Sequence, residues 1–244
     1  MKKLANPALY RYKKIQEAIS KRINRTNPYL KFSYSQSGED LIIKFLFDEM
    51  RKKTPSYLDI GAHHPRYINN TAIFYDQGSI GVNIEPDPSL INAFHVDRPN
   101  DINLNIGISP NPALMDFYIM SEPTLNTTSI QSVKDSEKIG YSLERQVKIR
   151  TKNINYVIKK HIGSAPNLIS LDTEGLDFAI LKSLDFTKYA PDVFCVETIS
   201  FSRLGQGVKN QQLISFLIKK GYLLYADTHI NSIFVKKSSI SIDG

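Results

Sequence analysis

The sequence predicts an α/β protein with a mostly parallel β-sheet, helices on both faces of the sheet and an antiparallel hairpin at its C-terminal edge. From Tyr57 onward, short apolar segments alternate with segments of helical spacing. This order is typical of parallel sheets, because two parallel strands need a crossover connection, usually a helix. Only a short turn separates the last two strand segments, which favours antiparallel pairing between them.

The predicted strands are short apolar runs bounded by turn residues. They cover residues 57–60, 80–84, 102–106, 168–171, 193–196, 222–225 and 232–235. Helices are predicted over 71–76, 90–94, 178–184 and 211–220, and Gly221 marks the end of the last one. Ser37 and Asp40 have the spacing of a capping box, which predicts a further helix of about a dozen residues before the first strand.

Residues 110–150 follow the alternation less closely. Residues 114–119 and 147–150 can form extra strands around a polar loop over 124–140. A loop of this length in a compact domain tends to be functional or mobile. We therefore expect it to help shape a ligand pocket.

Positive charge is concentrated at the N-terminus. Nine of the 31 Lys and Arg residues lie in residues 1–31, against a single acid, Glu17, and the whole chain has a formal net charge of +7. Apolar residues recur there every three or four positions, so we interpret 1–31 as a basic amphipathic helical extension and 32–244 as the folded domain. A solvated helix face explains the pattern, and contact with an anionic membrane surface or another anionic partner stays open. The tyrosines are too few to predict a nucleic-acid stacking surface.

The chain lacks the roughly 20 consecutive apolar residues of a membrane helix. The basic N-terminus also lacks the apolar core of a signal peptide, so we expect a cytoplasmic protein. The single cysteine, Cys195, cannot form an intrachain disulfide or a cysteine-based zinc site. Its apolar neighbours favour a buried thiol. Nothing in the sequence predicts an oligomeric state.

Polar residues follow the predicted strands, at the edge where doubly wound sheets bind ligands. They are Asp59, Gly61, His63, Glu85, Asn105, Asp172, Glu174, Asp177 and Glu197. The first turn has one glycine, Gly61, and lacks the further glycines that let a backbone cradle a pyrophosphate. Glu85 can accept both hydroxyls of a ribose, and Asp59 can order the turn or accept from a ligand's ammonium group. This arrangement suits S-adenosylmethionine, but an acid at the second strand also binds the ribose of NAD.

Seven ordered motifs resemble those of the FkbM family of S-adenosylmethionine-dependent methyltransferases. They are F-S-Y-S-Q-S-G-E-D (32–40), Y-L-D-I-G-A-H-H-P (57–65), N-N-T (69–71), Y-D-Q-G-x-x-G-V-N-I-E-P (75–86), N-I-G-I-S (105–109), L-D-T-E-G-L-D-x-x-I-L-K-S-L-D (171–185) and V-E (196–197). The resemblance covers most of the chain after the basic extension. The tryptophan that often follows Gly78 in the family is absent here, which affects packing more than chemistry.

The resemblance implies a class I methyltransferase fold, which is Rossmann-like with a seven-stranded sheet, and methylation of a hydroxyl on a sugar, glycan or secondary metabolite. It places Asp59, Gly61 and Ala62 at the methionine end of the cofactor, Glu85 at the ribose, Asn105, Ile106 and Gly107 near the adenine, and Gln36 and Glu39 over the site. His63, Asn70, Thr71, Pro86 and Asp172 complete the predicted cofactor contacts. Asn70 and Thr71 have helix capping as an equal alternative.

Methyl transfer to a hydroxyl needs an aligned acceptor and a group that removes its proton. The predicted catalytic residues are Asp172, Glu174 and Glu197, with His63 and His229 behind them. Asp172, Glu174 and Asp177 also permit a divalent metal, because such ions prefer oxygen ligands. For Asp172 and Asp177 the alternative is capping of the next helix.

Three other functions stay open on the sequence. An NAD-dependent oxidoreductase can use a similar sheet, although the phosphate-binding glycines are missing. A metal-dependent glycosyltransferase can use Asp172 and Glu174 as an Asp-x-Glu cation site. A non-catalytic binding module can hold a partner through the basic extension. The polar residues after almost every strand favour an enzyme over the last of these.

Overall fold

The computed structural model describes residues 27, 29–173, 175–199 and 207–240. In chain order the elements are α1 (Glu39–Glu49), β1 (Tyr57–Ile60), α2 (Ala72–Asp76), β2 (Gly81–Ile84), α3 (Pro88–Asp97), β3 (Ile102–Leu104), β4 (Gly107–Ile108), β5 (Leu114–Met120), α4 (Ile130–Lys138), β6 (Leu143–Lys152), α5 (Ile154–His161), β7 (Leu168–Leu171), α6 (Asp177–Ser183), α7 (Phe186–Tyr189), β8 (Val193–Glu197), α8 (Gln211–Lys219), β9 (Tyr222–Asp227) and β10 (Asn231–Lys236). Short 3-10 turns cover Pro123–Leu125 and Lys237–Ser239.

Seven strands of the described part form one sheet in the order β3-β2-β1-β7-β8-β10-β9. The five strands from β3 to β8 are parallel, and β10 is antiparallel to both β8 and β9. This confirms the predicted class I arrangement with its antiparallel C-terminal edge. The winding reverses direction between β1 and β7, so a crevice is expected at the carboxyl ends of these two strands.

The two faces of the sheet are buried against different helices, because side chains alternate along a strand. On one face, Tyr57 of β1 packs with Phe47 of α1 and Phe74 of α2. On the other face, Leu58 packs in a larger cluster. That cluster includes Ile154, Val157 and Ile158 of α5, Ile180 and Leu181 of α6, and Leu213, Ile214 and Leu217 of α8. Helices therefore cover both faces, as predicted.

A three-stranded sheet of order β4-β6-β5 is inserted between β3 and β7. Its strands β5 and β6 pair antiparallel along most of their length, as the two predicted extra strands suggested. The prediction of a polar loop over 124–140 is wrong, because most of that stretch is helix α4. Ser129 caps this helix by accepting from the backbone N–H of Ser132, and Val133 is its buried apolar contact. A mostly polar helix with one buried stripe has too few apolar residues to stand out in the sequence.

Two other predictions need correction. Helix α1 begins at Glu39, and its N-cap residue is Gly38, which has a φ of 88°. Ser37 is therefore not the N-cap and does not open a capping box. Asp40 instead accepts from the backbone N–H of Tyr34 and from the Ser35 hydroxyl. Helix α5 was not predicted, although Asn153 caps it by accepting from the Asn155 N–H.

The described residues from Tyr34 onward form one compact unit. The predicted basic extension over 1–31 lies almost wholly outside the described residues, so its helical structure, its boundary with the domain and its partners stay predictions. No helix among the described residues is long and apolar enough to cross a membrane. The cytoplasmic location likewise stays a prediction.

Candidate functional site

A cavity of about 500 Å³ opens at the carboxyl ends of β1, β2, β7 and β8. This volume lies within the range of about 300–1,000 Å³ that is usual for small-molecule sites. Its wall includes seven of the residues predicted to bind cofactor, namely Gln36, Gly61, His63, Glu85, Pro86, Gly107 and Asp172, and the base candidate Glu197. The structure thus brings together residues that are spread over 160 positions of sequence.

The turn after β1 depends on the glycine at its tip. Gly61 has a φ of 75°, and a Cβ atom built on it would lie 1.7 Å from the backbone oxygen of Asp172. The N–H groups of Gly61 and Ala62 both donate to the carbonyl of Ile84, and the N–H of Asp172 donates to the carbonyl of Ile60. Strands β1, β2 and β7 are therefore held together at the cavity floor, where only glycine fits.

Glu85 follows β2 and presents its carboxylate to the cavity. Its Oε2 accepts from the backbone N–H of His63 at 2.9 Å, and its Oε1 accepts from the backbone N–H of Asp87 at 2.8 Å. The side chain is 4% exposed. Burial raises the pKa of Glu85 to about 8, against the opposing effect of the two N–H donors. Each oxygen keeps lone pairs for a ligand hydroxyl, so the group suits a vicinal diol.

Asp59 does not line the cavity, so its position does not support the predicted contact with the cofactor's ammonium group. Its Oδ2 accepts from the Thr71 hydroxyl at 2.7 Å and from Asn69 Nδ2 at 3.1 Å, beneath the turn. Burial raises its pKa, although these hydrogen bonds and the charge of Arg98 oppose the rise. Of its two predicted roles, ordering the turn is the one consistent with this position. Thr71, also predicted to bind cofactor, belongs to the same buried network.

Arg98 anchors that network and was missed by the sequence reasoning. It is fully buried, and its guanidinium donates to Asp101 at 2.9 Å, to Tyr57 OH at 2.7 Å and to the Thr71 hydroxyl at 3.0 Å. Buried arginines are rare unless they are paired, so this group joins the loop before α2 to β1 and to the start of β3. Its sequence signal is weak, because Arg98 and Asp101 lie in an otherwise ordinary turn.

Five other predicted cofactor residues also lie outside the cavity wall. Ala62 packs in the core under α3. Glu39 is fully buried and accepts from Thr228 and Asn231 of the C-terminal hairpin, because α1 lies against that edge. Asn70 donates to the Ser170 hydroxyl on β7.

The remaining two of these residues are the neighbours Asn105 and Ile106. Asn105 Nδ2 donates to the carbonyls of Glu85 and Pro86 at 3.0 and 2.8 Å, so it shapes the turn after β2. Ile106 packs against the core beneath. Asn105 therefore supports the turn after β2, and Ile106 belongs to the core.

The structure places two of the predicted catalytic residues, Asp172 and Glu197, on the cavity wall. Asp172 and Glu197 end neighbouring strands and both line the cavity. Glu174 lies outside the described residues. His229 is exposed in the turn before β10, where its N–H donates to Asp227, and it is not part of the cavity wall, so the structure does not support it as a base.

The predicted metal site also finds no support in the described part of the chain. Asp177 accepts from the backbone N–H and hydroxyl of Thr173 and from the N–H of Gly175, as a residue at the start of α6 does. Leu176, not Asp177, holds the N-cap position of α6, and no side chain caps this helix, so the capping alternative is wrong for Asp177. The hydrogen bonds from the preceding loop nevertheless use the oxygens that a metal would need. No group of three or more His, Cys, Asp or Glu residues among the described positions can hold a metal ion.

A family model, the methyltransferase FkbM domain, matches residues 59–224. The chain belongs to the FkbM methyltransferase family. Among solved structures it is similar to methyltransferase FkbM from Methylobacillus flagellatus KT, with 13% identity and a TM-score of 0.44 over 86% of this chain and 45% of that one. It is also similar to a TehB-like SAM-dependent methyltransferase from Corynebacterium glutamicum ATCC 13032 Kitasato, with 15% identity and a TM-score of 0.42 over 95% of this chain and 100% of that one. The chain therefore spans less than half the length of the FkbM structure, and no curated protein matches it.

In this FkbM protein the insert between β3 and β7 supplies the cavity wall opposite the strand ends. The sequence predicted that this region shapes the pocket without naming its residues. Those on the wall are Phe117, Glu122, Pro123, Thr124, Leu125, Asn126, Thr128, Tyr141, Ile149 and Thr151. No local pattern identifies them, because their position depends on how the insert folds back over the sheet.

The loop between β1 and α2 forms the side wall and carries two unusual backbone conformations. His63 and Ile68 have φ values of 54° and 50°, and both line the cavity. Such angles are strained for residues with a side chain and occur preferentially at functional sites. Burial and the neighbouring His64 lower the pKa of His63, which favours the neutral imidazole. It can therefore accept or donate a hydrogen bond to a ligand.

Proposed function

We propose that the protein is an S-adenosylmethionine-dependent O-methyltransferase whose acceptor is a hydroxyl of a sugar, glycan or secondary metabolite. The observation that carries the proposal is the position of Glu85, whose two oxygens are held by backbone N–H groups at the cavity wall beside the Gly61 turn. Membership of the FkbM family supports the same reaction class.

The residues present fit this cofactor better than a dinucleotide. Glu85 would hold the ribose hydroxyls, and Gly61 lines the same cavity. That turn has one glycine and no cradle of N–H groups for a pyrophosphate. When bound, the cofactor supplies an electrophilic methyl group on a sulfonium.

The acceptor side of the reaction falls to the protein's own carboxylates and aromatic side chains. Asp172 and Glu197 lie on the cavity wall, where a carboxylate can take the proton of an acceptor hydroxyl. Tyr67 and Tyr141 also line the cavity and offer flat surfaces for a sugar ring. A hydroxyl acceptor is consistent with this set.

Calorimetric titration tests the cofactor assignment. We expect S-adenosylmethionine and S-adenosylhomocysteine to bind, and NAD and UDP-glucose not to bind. Glu85→Ala should weaken the binding of S-adenosylhomocysteine at least tenfold, or about 1.4 kcal/mol, whereas the matched surface change Asp135→Asn should leave it unchanged. Binding of NAD or UDP-glucose without S-adenosylhomocysteine would replace the proposal by one of the two rival enzymes.

Labelled methyl transfer tests the acceptor class. Incubation with a methyl-tritiated cofactor and a carbohydrate extract should label material that is stable to mild base, as methyl ethers are. With that acceptor, Asp172→Asn or Glu197→Gln should lower kcat by about 100-fold or more. In Glu197→Gln, the dissociation constant of S-adenosylhomocysteine should change less than about threefold. Label recovered only as methyl esters or methylamines would contradict O-methylation of a hydroxyl, and full turnover in both variants would remove these residues as bases.

A further inference from the structure

The insert is tied to the ribose side of the cavity by one asparagine. Asn126 Nδ2 donates to Asp87 Oδ2 at 3.1 Å, and Asn126 Oδ1 accepts from the backbone N–H of Met120 on β5 at 2.9 Å. Both functional atoms of this side chain are therefore committed, one to the loop after β2 and the other to the insert. Asn126 itself lines the cavity.

Each end of this bridge is firmly attached. Asp87 is 2% exposed; its backbone N–H donates to Glu85 Oε1, and its Oδ1 accepts from the N–H of Ser89 as the cap of α3. At the other end, Thr127 and Tyr118 exchange backbone hydrogen bonds of 3.1 and 2.8 Å. A continuous path of hydrogen bonds thus runs from the Glu85 carboxylate through Asp87 and Asn126 to the strands of the insert.

We infer that Asn126 is a positioning residue that couples cofactor binding at Glu85 to the seating of the insert over the cavity. The inference rests on the proposed function, since it takes the ligand of Glu85 to be the cofactor ribose. Because the insert also carries Tyr141 and Glu122 on the opposite wall, cofactor binding would arrange the acceptor side before the acceptor arrives. Coupling of this kind needs a physical connection between the cofactor site and the acceptor site. The hydrogen bond between Asn126 and Asp87 supplies one.

Exchanging the side chains of Asn126 and Asp87 distinguishes the loss of their hydrogen bond from a general structural effect. Asn126→Asp places a second carboxylate against Asp87, and Asp87→Asn places two amide donors face to face, because Asn126 Oδ1 is held by Met120. The double variant restores one donor and one acceptor with reversed polarity. It also keeps the α3 cap, since asparagine caps helices as well as aspartate.

Calorimetry should show S-adenosylhomocysteine binding about tenfold weaker in each single variant and within about threefold of the unmodified protein in the double variant. Asn92→Asp, the same substitution at an exposed position of α3, should change the affinity less than about twofold. Single variants that bind normally, or a double variant in which the two losses add, would overturn the coupling.

Hydrogen exchange of the unliganded proteins provides a readout that does not need the cofactor. The amides of Tyr118 and Thr127 should exchange faster in Asn126→Asp and return to the slower rate in the double variant. Equal exchange in all four proteins would overturn the inference even if S-adenosylhomocysteine binds. Failure of the unmodified protein to bind S-adenosylhomocysteine would instead contradict the proposed function, while the exchange rates would still show whether the bridge holds the insert.

Discussion

Glu85 Oε2 accepts the backbone N–H of His63 at 2.9 Å, which joins the end of β2 to the strained loop after β1. The contact fixes one oxygen of the carboxylate, and the N–H of Asp87 fixes the other. The group is therefore oriented before any ligand arrives, so little side-chain entropy is lost when a diol binds. Its burial also makes its charge sensitive to pH, and two predictions depend on this.

The first prediction concerns the stability of the unliganded protein. Burial raises the pKa of Glu85 to about 8, whereas an unfolded chain has a value near 4.5. Because the pKa is higher in the folded state, protonated Glu85 contributes to the free energy of unfolding. This contribution is complete below about pH 4.5 and is lost as the pH rises through about 8. The loss should be on the order of 3 kcal/mol by pH 7, at about 1.4 kcal/mol per unit of pKa shift.

Urea unfolding of the unmodified protein and of Glu85→Gln at several pH values measures this effect. The amide stays neutral, so the variant should lack this part of the decline between about pH 4.5 and 8. Parallel decline in both proteins would show that Glu85 is not the group responsible.

The second prediction is that the affinity for S-adenosylhomocysteine rises with pH up to about 8 and then levels off. Ribose hydroxyls donate to an ionised carboxylate, so binding favours the deprotonated form of Glu85 and must be weaker where that form is scarce. The other ionisable groups near Glu85 are Asp87, Asp59 and His63. Calorimetry from pH 6 to 9 checks the profile, and an equal rise in Glu85→Gln would show that Glu85 is not the group responsible.

The third prediction concerns Gly61. Gly61→Ala should destabilise the protein by several kcal/mol and abolish S-adenosylhomocysteine binding, because the new Cβ would overlap the backbone oxygen of Asp172. Gly140→Ala is the matched control, since Gly140 also has a positive φ, 98°, but a Cβ placed on it would meet no atom of the described residues within 4 Å. It should cost only about 1 kcal/mol for the backbone conformation. Equal losses in the two variants would show that backbone conformation alone is responsible.

The fourth prediction concerns the buried Arg98–Asp101 pair. Arg98→Met should lower the free energy of unfolding by about 3–5 kcal/mol, because it leaves the Asp101 carboxylate buried without its partner. Lys138→Met breaks the exposed pair with Asp135 and should cost less than about 1 kcal/mol. A similar small change in both variants, measured by urea unfolding, would mean that the buried network does not hold the turn in place.

Much of the fold follows from local patterns. Each of the seven strands of the main sheet lies at or within a few residues of a predicted segment, because a strand buried on both faces is a short apolar run. Helix α5 was missed although Ile154, Val157 and Ile158 have helical spacing. Helix α4 was mistaken for a loop because most of its residues are polar.

The candidate site was predictable in outline only. Glu85 and Asp172 lie just beyond the ends of strands and face the cavity, as residues at a switch point are expected to do. Asp59 lies within β1, where alternation directs its side chain to the face covered by α1 and α2. Its burial beneath the turn follows from that register.

The sequence by itself determined the order of the seven strands of the main sheet, the single-glycine turn and the acids at the strand ends, because these depend on neighbouring residues in the chain. Only the tertiary structure decided that Arg98 supports the turn from below and that Asn126 joins the insert to Asp87. Those contacts join groups 27 and 39 positions apart. They arise from packing between separate elements, and no periodicity in the chain records that packing.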